Sequence, residues 1–354
     1  MRKYLLNILF LVIVFQFTNG QVVLTADGPG NTYQLINSVF ANTNRNVVEV
    51  PDCNHSDFGD HIDEVFDTDL NKNVFRFHIH VSSDNDRCKK FDRQRNEIKS
   101  YSDSPENLKA EKGETVEYKW KFKLPEDFKP SSNFTHIHQL KVVGGPYASI
   151  PMISFTLRKG NPDKLELRYT ATKSQKTLKT VDLNLFKGNW VEVTEYVKFD
   201  DVGSYSVVIK TISDNKEIFN YSNSPMDTWQ DGAEFARPKW GIYRSLKSKE
   251  DLQDEIVKYA DFSINEIKDL YSVDVLKEKA ERILLTSNSS SEIEFKNVDG
   301  FNLVELFDNS GRKIDIENKI DNSKLDVSGF TKGLYFLVFK KESEIVKVLR
   351  CYVK

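Results

Sequence analysis

The sequence is poor in the residues that build metal and disulfide frameworks. It has three cysteines and six histidines, with no C-x-x-C and no H-E-x-x-H spacing, so it carries no zinc motif. It has no E-x-D-x-E strand, which argues against a sandwich glycoside hydrolase with paired carboxylates. It also lacks a G-x-S-x-G elbow, so an esterase has no support. An excess of either charge is missing too. Fifty Lys and Arg residues stand against 53 Asp and Glu, for a net charge of -3. Nothing in that balance points to nucleic acid or a membrane surface, and any electrostatic function has to be local.

Long apolar runs are absent with one exception. Arg2 and Lys3 precede an apolar run from Leu5 to Phe17, and the small residue Gly20 follows. This is the pattern of a secretory signal peptide over residues 1–20. The run is short for a bilayer, which needs roughly 20 residues, so no stable membrane insertion is expected. Export permits disulfides. Cys53 and Cys88 lie in one region and are expected to pair, leaving Cys351 near the C terminus.

What is present is strand pattern. At 354 residues, 39% hydrophobic and 12% aromatic, the chain can bury one large core and a smaller one. From about Val47 to Ile267 it reads as short alternating runs broken by Gly, Pro, Asn and Asp, among them VFRFHIHVS, VEYKWKFKL, FTHIHQLKVV, WVEVTEYVKF and KWGIYRS. Eight or more strands with hardly a helix predict an all-β antiparallel sandwich. In VFRFHIHVS, Phe75, Phe77, Ile79 and Val81 share one face and Arg76, His78 and His80 the other.

Between Leu270 and Ser291 the pattern changes. VLKEKAERILL predicts a short helix and SNSSSE a linker. The expected division is a main domain at 21–270, a linker at 271–291 and a small β-sandwich at 292–354, without a catalytic cluster in the last. On LFDNSGRKI, DVSGFTKGLYFLV and a closing lysine-rich strand, this tail resembles the C-terminal sorting domain of the type IX secretion system. The resemblance implies an extracellular or cell-surface protein of a Gram-negative bacterium. It implies the type IX machinery as a partner and removal of the tail during export.

Three polar strands carry the chemistry. FDRQRNEIKSY sets Arg93, Arg95, Glu97 and Lys99 on one face; QLK pairs Gln139 with Lys141; KWGIY pairs Lys239 with Tyr243. These groups suit β-elimination on a uronic-acid polymer. The proton at C5 is barely acidic, because removing it loads charge onto an already anionic carboxylate. An arginine, helped by a neutral amide such as Gln139, can offset that charge as an oxyanion hole does. Lysine can be the general base if burial or cations lower its pKa, and tyrosine the general acid. Arg76, His78, His80, Arg93 and Lys99 could line a groove for an anionic chain, with Asn96, Lys239 and Arg244 as further substrate contacts. In a regular strand His136 and His138 face away from Gln139 and Lys141 unless a bulge intervenes.

RNEI and KWGIY resemble the strands of jelly-roll polysaccharide lyases. More closely, DRQRNEIKSYSDSPENL, YKWKFKL, FTHIHQLK and RPKWGIYRSL, followed by DEIVKYADFSI, resemble the ulvan lyases of polysaccharide lyase family twenty-eight. The resemblance spans roughly residues 45 to 267. It implies a concanavalin-like β-jelly roll and a secreted lyase on an anionic algal polysaccharide, ulvan; endo action, a monomer and no cofactor for chemistry are further expectations. By motif, Lys141 is implied as base, Tyr243 as acid and Arg95 as the neutralising residue, with Arg93 its alternative. Alginate or glucuronan as substrate, and a non-catalytic glycan-binding module, are the competing readings. A structural calcium ion is compatible with the Asp-rich loops, with Asp60 and Asp261 as candidate ligands.

Overall fold

The computed structural model describes residues 21–42 and 46–267 and, toward the C terminus, 284–288, 292–296, 303–308, 312–316, 320–321, 324–341 and 344–353. The expected signal peptide lies outside these residues. The chain divides into two units, Met1–Ile267 and Lys268–Lys354. Among the described residues no helix is long and apolar enough to cross a membrane.

The first unit is two antiparallel sheets, with strands numbered in chain order. One sheet runs β13 (Glu217–Met226), β12 (Gly203–Thr211), β11 (Trp190–Lys198), β6 (Thr115–Lys123), β15 (Glu255–Ile267), β4 (Lys72–Ile79) and β3 (Ile62–Asp67), with β1 (Val22–Leu24) also paired to β15. The other runs β10 (Lys176–Asp182), β9 (Lys164–Tyr169), β8 (Ile153–Arg158), β7 (Thr135–Val143), β14 (Phe235–Ser245), β5 (Arg93–Lys99) and β2 (Val48–Glu49). A late strand, β14, is inserted between β5 and β7. Such crossovers make this a jelly roll and not a meander. A helix, α1 (Thr32–Phe40), buries Ile36 and Phe40 against the core.

The period-two patterns place the core. Phe75, Phe77 and Ile79 of β4, Tyr118, Trp120 and Phe122 of β6, and Trp240 and Ile242 of β14 are all buried in one cluster between the sheets. Burying a side chain of this size fully stabilises the fold by about 1.5–3 kcal/mol. Polar groups are buried with them, Glu195 and His138 among these. Glu195 is fully buried and accepts hydrogen bonds from Trp120 Nε1 at 3.0 Å and Tyr205 Oη at 2.8 Å, with His138 Nε2 at 3.1 Å. Burial alone would raise its pKa, but these three partners outweigh it and hold the carboxylate below its ordinary range.

Among the described residues, the second unit has two four-stranded sheets around its own cluster, which includes Ile293, Leu306, Leu325, Leu337 and Cys351. Leu284–Asn288 is a strand paired with Glu292–Lys296. Part of the stretch expected as linker therefore belongs to the tail, and so do the last two residues of the expected helix. The rest of that helix lies outside the described residues.

Candidate active site

The outer face of the second sheet is built by β2, β5, β14 and β7. Ile98, Trp240, Ile242 and Leu140 turn inward to the core, so the residues alternating with them turn outward. Register then sets rows across the sheet. Tyr243 of β14 pairs with Arg95 of β5 and His136 of β7; Lys239 pairs with Lys99 and Gln139; Arg237 pairs with Lys141. Between these rows Gly241 has φ 137°, and a Cβ there would stand 2.1 Å from Asn96 O. The glycine of K-W-G-I-Y is thus required by the close approach of β14 to β5.

The charged face of β5 is a network. Glu97 is buried and accepts from Lys239 Nζ at 2.6 Å, and also from Gln139 and Arg95. Glu49, on β2, accepts from Lys239 Nζ at 2.5 Å and Lys99 Nζ at 2.6 Å, and also from Arg87. Arg95 donates through Nε to Asp86 Oδ1 at 2.9 Å and through Nη2 to Asp86 Oδ2 at 3.2 Å. Its guanidinium carbon lies 3.6 Å from the centroid of the Tyr243 ring. Arg93 Nη1 donates to Tyr243 Oη at 3.0 Å, and its other nitrogens hold Asp92. With its oxygen accepting from Arg93, the phenol keeps its own O–H free to point into the groove.

The network sorts the titrating groups. Burial works against the Glu97 carboxylate, yet Lys239 and Arg95 outweigh it and hold its pKa at about 2. Lys141 differs from the other lysines of this face. It is half-buried, donates to Ser149 O at 2.9 Å, and makes no ion pair among the described residues. Burial, followed by the cations Lys239, Arg95 and Arg237, lowers its pKa to about 7 against the pull of Glu97. Lys99 is lowered to about 7 as well, chiefly by burial, but it is tied to Glu49.

His136 and His138 do not share a face. The register of β7 against β8 shifts between them, so Ile137 and His138 both turn inward while His136 lies on the groove side, 5.9 Å from the Tyr243 ring. The intervening bulge is present. Burial depresses the His136 pKa to about 3, and its Nδ1 has no hydrogen-bond partner among the described residues.

Several expected contacts fall elsewhere. Asn96 is buried on the core side, donating to His61 O at 2.7 Å and His78 O at 2.8 Å. Arg244 is likewise inward and buried, donating to Gln94 Oε1 at 2.7 Å and Gln253 O at 2.9 Å. Arg76 and His78 alternate with the core phenylalanines of β4, so they lie on the other sheet from the groove. Both are held by Asp63, at 2.8 Å from Arg76 Nε and 3.0 Å from His78 Nε2. His80 follows β4 and contacts Asp84. Asp261 is taken up by Lys72 at 2.5 Å and Lys121 at 2.7 Å, so its carboxylate is already matched by ammonium groups. Cys53 and Cys88 are joined by a disulfide, as expected. Sequence reasoning missed Glu49 and Asp86, which carry no local motif, and Arg237, which the alternation through Lys239 and Tyr243 places on the same face.

Fold and site together describe an all-β sandwich whose second sheet carries a network of cations and buried carboxylates around Tyr243, joined to a small β tail. Residues 63–262 match the family model described as polysaccharide lyase. The chain belongs to that family and is a polysaccharide lyase. Residues 286–353 match the model of a secretion system C-terminal sorting domain, which marks the protein for secretion or the cell surface. Among solved structures the chain is similar to an endo-β-1,4-glucuronan lyase from the fungus Trichoderma reesei (17% identity, 58% of this chain and 86% of that one, TM-score 0.42). It is also similar to the PL-14 alginate lyase from Aplysia kurodai (12%, 70% and 99%, 0.47) and to the family-7 alginate lyase A1-II′ (14%, 62% and 93%, 0.41). Comparison with curated proteins finds no match.

Proposed function

We propose that this lyase cleaves a uronic-acid polysaccharide by β-elimination within the chain, and that ulvan is its substrate. The observation that carries the reading is Lys141: an amine without a carboxylate partner, among cations, on the same sheet face as Tyr243. As free base near neutral pH it takes the C5 proton, and Tyr243 delivers a proton to the departing O4. Lys141 stands opposite Arg237 and Tyr243 opposite His136, five residues apart along β7 and six along β14, so the two side chains have to lean toward each other along the strands to serve the C5 proton and the O4 of one uronate ring.

The uronate carboxylate is bound by donors the network leaves over. Arg95 has five N–H groups and three are committed to Asp86 and Glu97; the remaining two can face the substrate. Gln139 gives one amide hydrogen to Glu97 and keeps another. Held rigidly by buried carboxylates, these donors need little reorganisation as charge builds on the enolate-like transition state. Glucuronan and alginate are the competing substrates, and the sequence motifs favour ulvan. Incubating the protein with each polymer and following the ultraviolet absorbance of the conjugated uronyl product tests this. Fastest release from ulvan is expected, and a rise with alginate or glucuronan alone overturns the assignment.

A further inference from the structure

Three of the six histidines meet around one carboxylate, away from the groove. His55 and His61 come from the segment before β3, and His80 and Asp84 from the segment after β4. Their ligating atoms all lie within 4.8 Å of one another. Asp84 Oδ1 is 2.9 Å from His55 Nδ1 and 3.1 Å from His61 Nε2, and Asp84 Oδ2 is 3.2 Å from His80 Nδ1. A tetrahedral zinc ion with bonds of about 2.0–2.1 Å places its ligand atoms about 3.3 Å apart; the three spacings from Asp84 to the imidazoles are close to that edge, and the imidazole atoms lie within 4.8 Å of one another. The Asp84 and His61 side chains are fully buried, and the Phe58 ring covers the cluster with its centroid 4.3 Å from that of His80 and 4.8 Å from that of His61.

The surroundings are built as well. The far nitrogen of His61, Nδ1, is 2.7 Å from Asp52 Oδ1. Asp52 is in turn fixed by Tyr33 Oη at 2.9 Å, and that oxygen accepts the His61 backbone N–H at 2.9 Å. A carboxylate behind an imidazole is the arrangement that fixes the tautomer and aims the other nitrogen at a metal.

We propose that His55, His61, His80 and Asp84 form a structural zinc site. Three imidazoles and one carboxylate favour zinc over calcium or magnesium, which prefer all-oxygen ligands. Four protein ligands close the coordination shell, so the ion's role is to hold loops and not to activate water. It joins the same two segments that the Cys53–Cys88 disulfide joins. The second of those segments carries Asp86, which holds Arg95, so the ion braces the groove from behind.

Untagged full-length protein, purified without chelator, is to be assayed for metal by elemental analysis and, after stripping, titrated with Zn2+. About one equivalent is expected, with a rise in Tm on rebinding, and Co2+ in its place is expected to show the visible bands of a tetrahedral ion. Asp84→Asn and His61→Ala should abolish binding. Because these buried changes can unfold the chain, His55→Ala, at a partly exposed position, is the second variant. With the fold retained by circular dichroism, it should weaken Zn2+ binding at least tenfold. Less than about a tenth of an equivalent both before and after Zn2+ titration would mean an ion-paired histidine cluster and overturn the proposal, as would unchanged affinity in folded His55→Ala.

Discussion

The guanidinium carbon of Arg95 sits over the Tyr243 ring, 3.6 Å from its centroid, while Arg93 holds the same residue by its phenol oxygen at 3.0 Å. One arginine therefore supports the ring and the other aims its hydroxyl. Arg95→Lys keeps the charge but loses the guanidinium over the ring and the two-pronged contact with Asp86. Its kcat/KM should fall by about a hundredfold, roughly 2.7 kcal/mol of barrier. Arg93→Lys should fall less. The reverse order in steady-state kinetics would make Arg93 the clamp.

Lys141→Ala should nearly abolish elimination while oligosaccharide binding stays largely intact, because the side chain acts on a proton. Should turnover stay within about tenfold of wild type, roughly 1.4 kcal/mol, lysine is not the base and His136 takes its place.

Burial and neighbouring cations hold the Lys141 pKa at about 7, and the base works in its neutral form. The sign follows: kcat/KM should be low below pH 7, where the amine is protonated, and rise through about 7. A histidine base at about 3 would already be neutral across that range and give no such limb. The pH profile of kcat/KM distinguishes them.

Tyr243→Phe removes the hydroxyl proposed as the acid but keeps the ring on Arg95, so product release should nearly stop with little change in Tm. His136→Ala should be milder on turnover. A Tyr243→Phe enzyme that still cleaves at more than a tenth of the wild-type rate, a barrier change under about 1.4 kcal/mol, would assign the proton to another donor.

The core and the groove lie wholly within the first unit, which closes at Ile267. Truncation at about Leu270 should therefore leave lyase activity unchanged. Opening the disulfide by Cys53→Ser should cost about 2–5 kcal/mol in denaturant unfolding, since it closes a 35-residue separation.

Much of this was legible because a half-buried strand writes its inner face into the sequence at every second residue. That is why Phe75, Phe77, Tyr118 and Trp120 could be placed, and why Arg95, Glu97, Lys239 and Tyr243 were found as one-sided sets. Alternation alone also excludes Asn96 and Arg244, each adjacent to a groove residue and so turned inward. Parity names a face but not a sheet, and Arg76 and His78 were misplaced for that reason. Glu49 was invisible because its partners lie as far as 190 residues along the chain. The histidine cluster was hidden likewise, since His61 and His80 meet through the fold and not through a spacing.

The bulge at Ile137 answers to the strands on both sides of it. Removing one residue there would make the pairing with β8 regular and leave His136 and Lys141 on one face, four positions apart instead of five. On the other side β14 already carries three steps from Trp240 to Tyr243 against two in β7, so the same deletion would pull His136 out of register with Tyr243. The extra residue is therefore an adjustment between two neighbours with different demands, and the interval between His136 and Lys141 is set by β8 and β14 together.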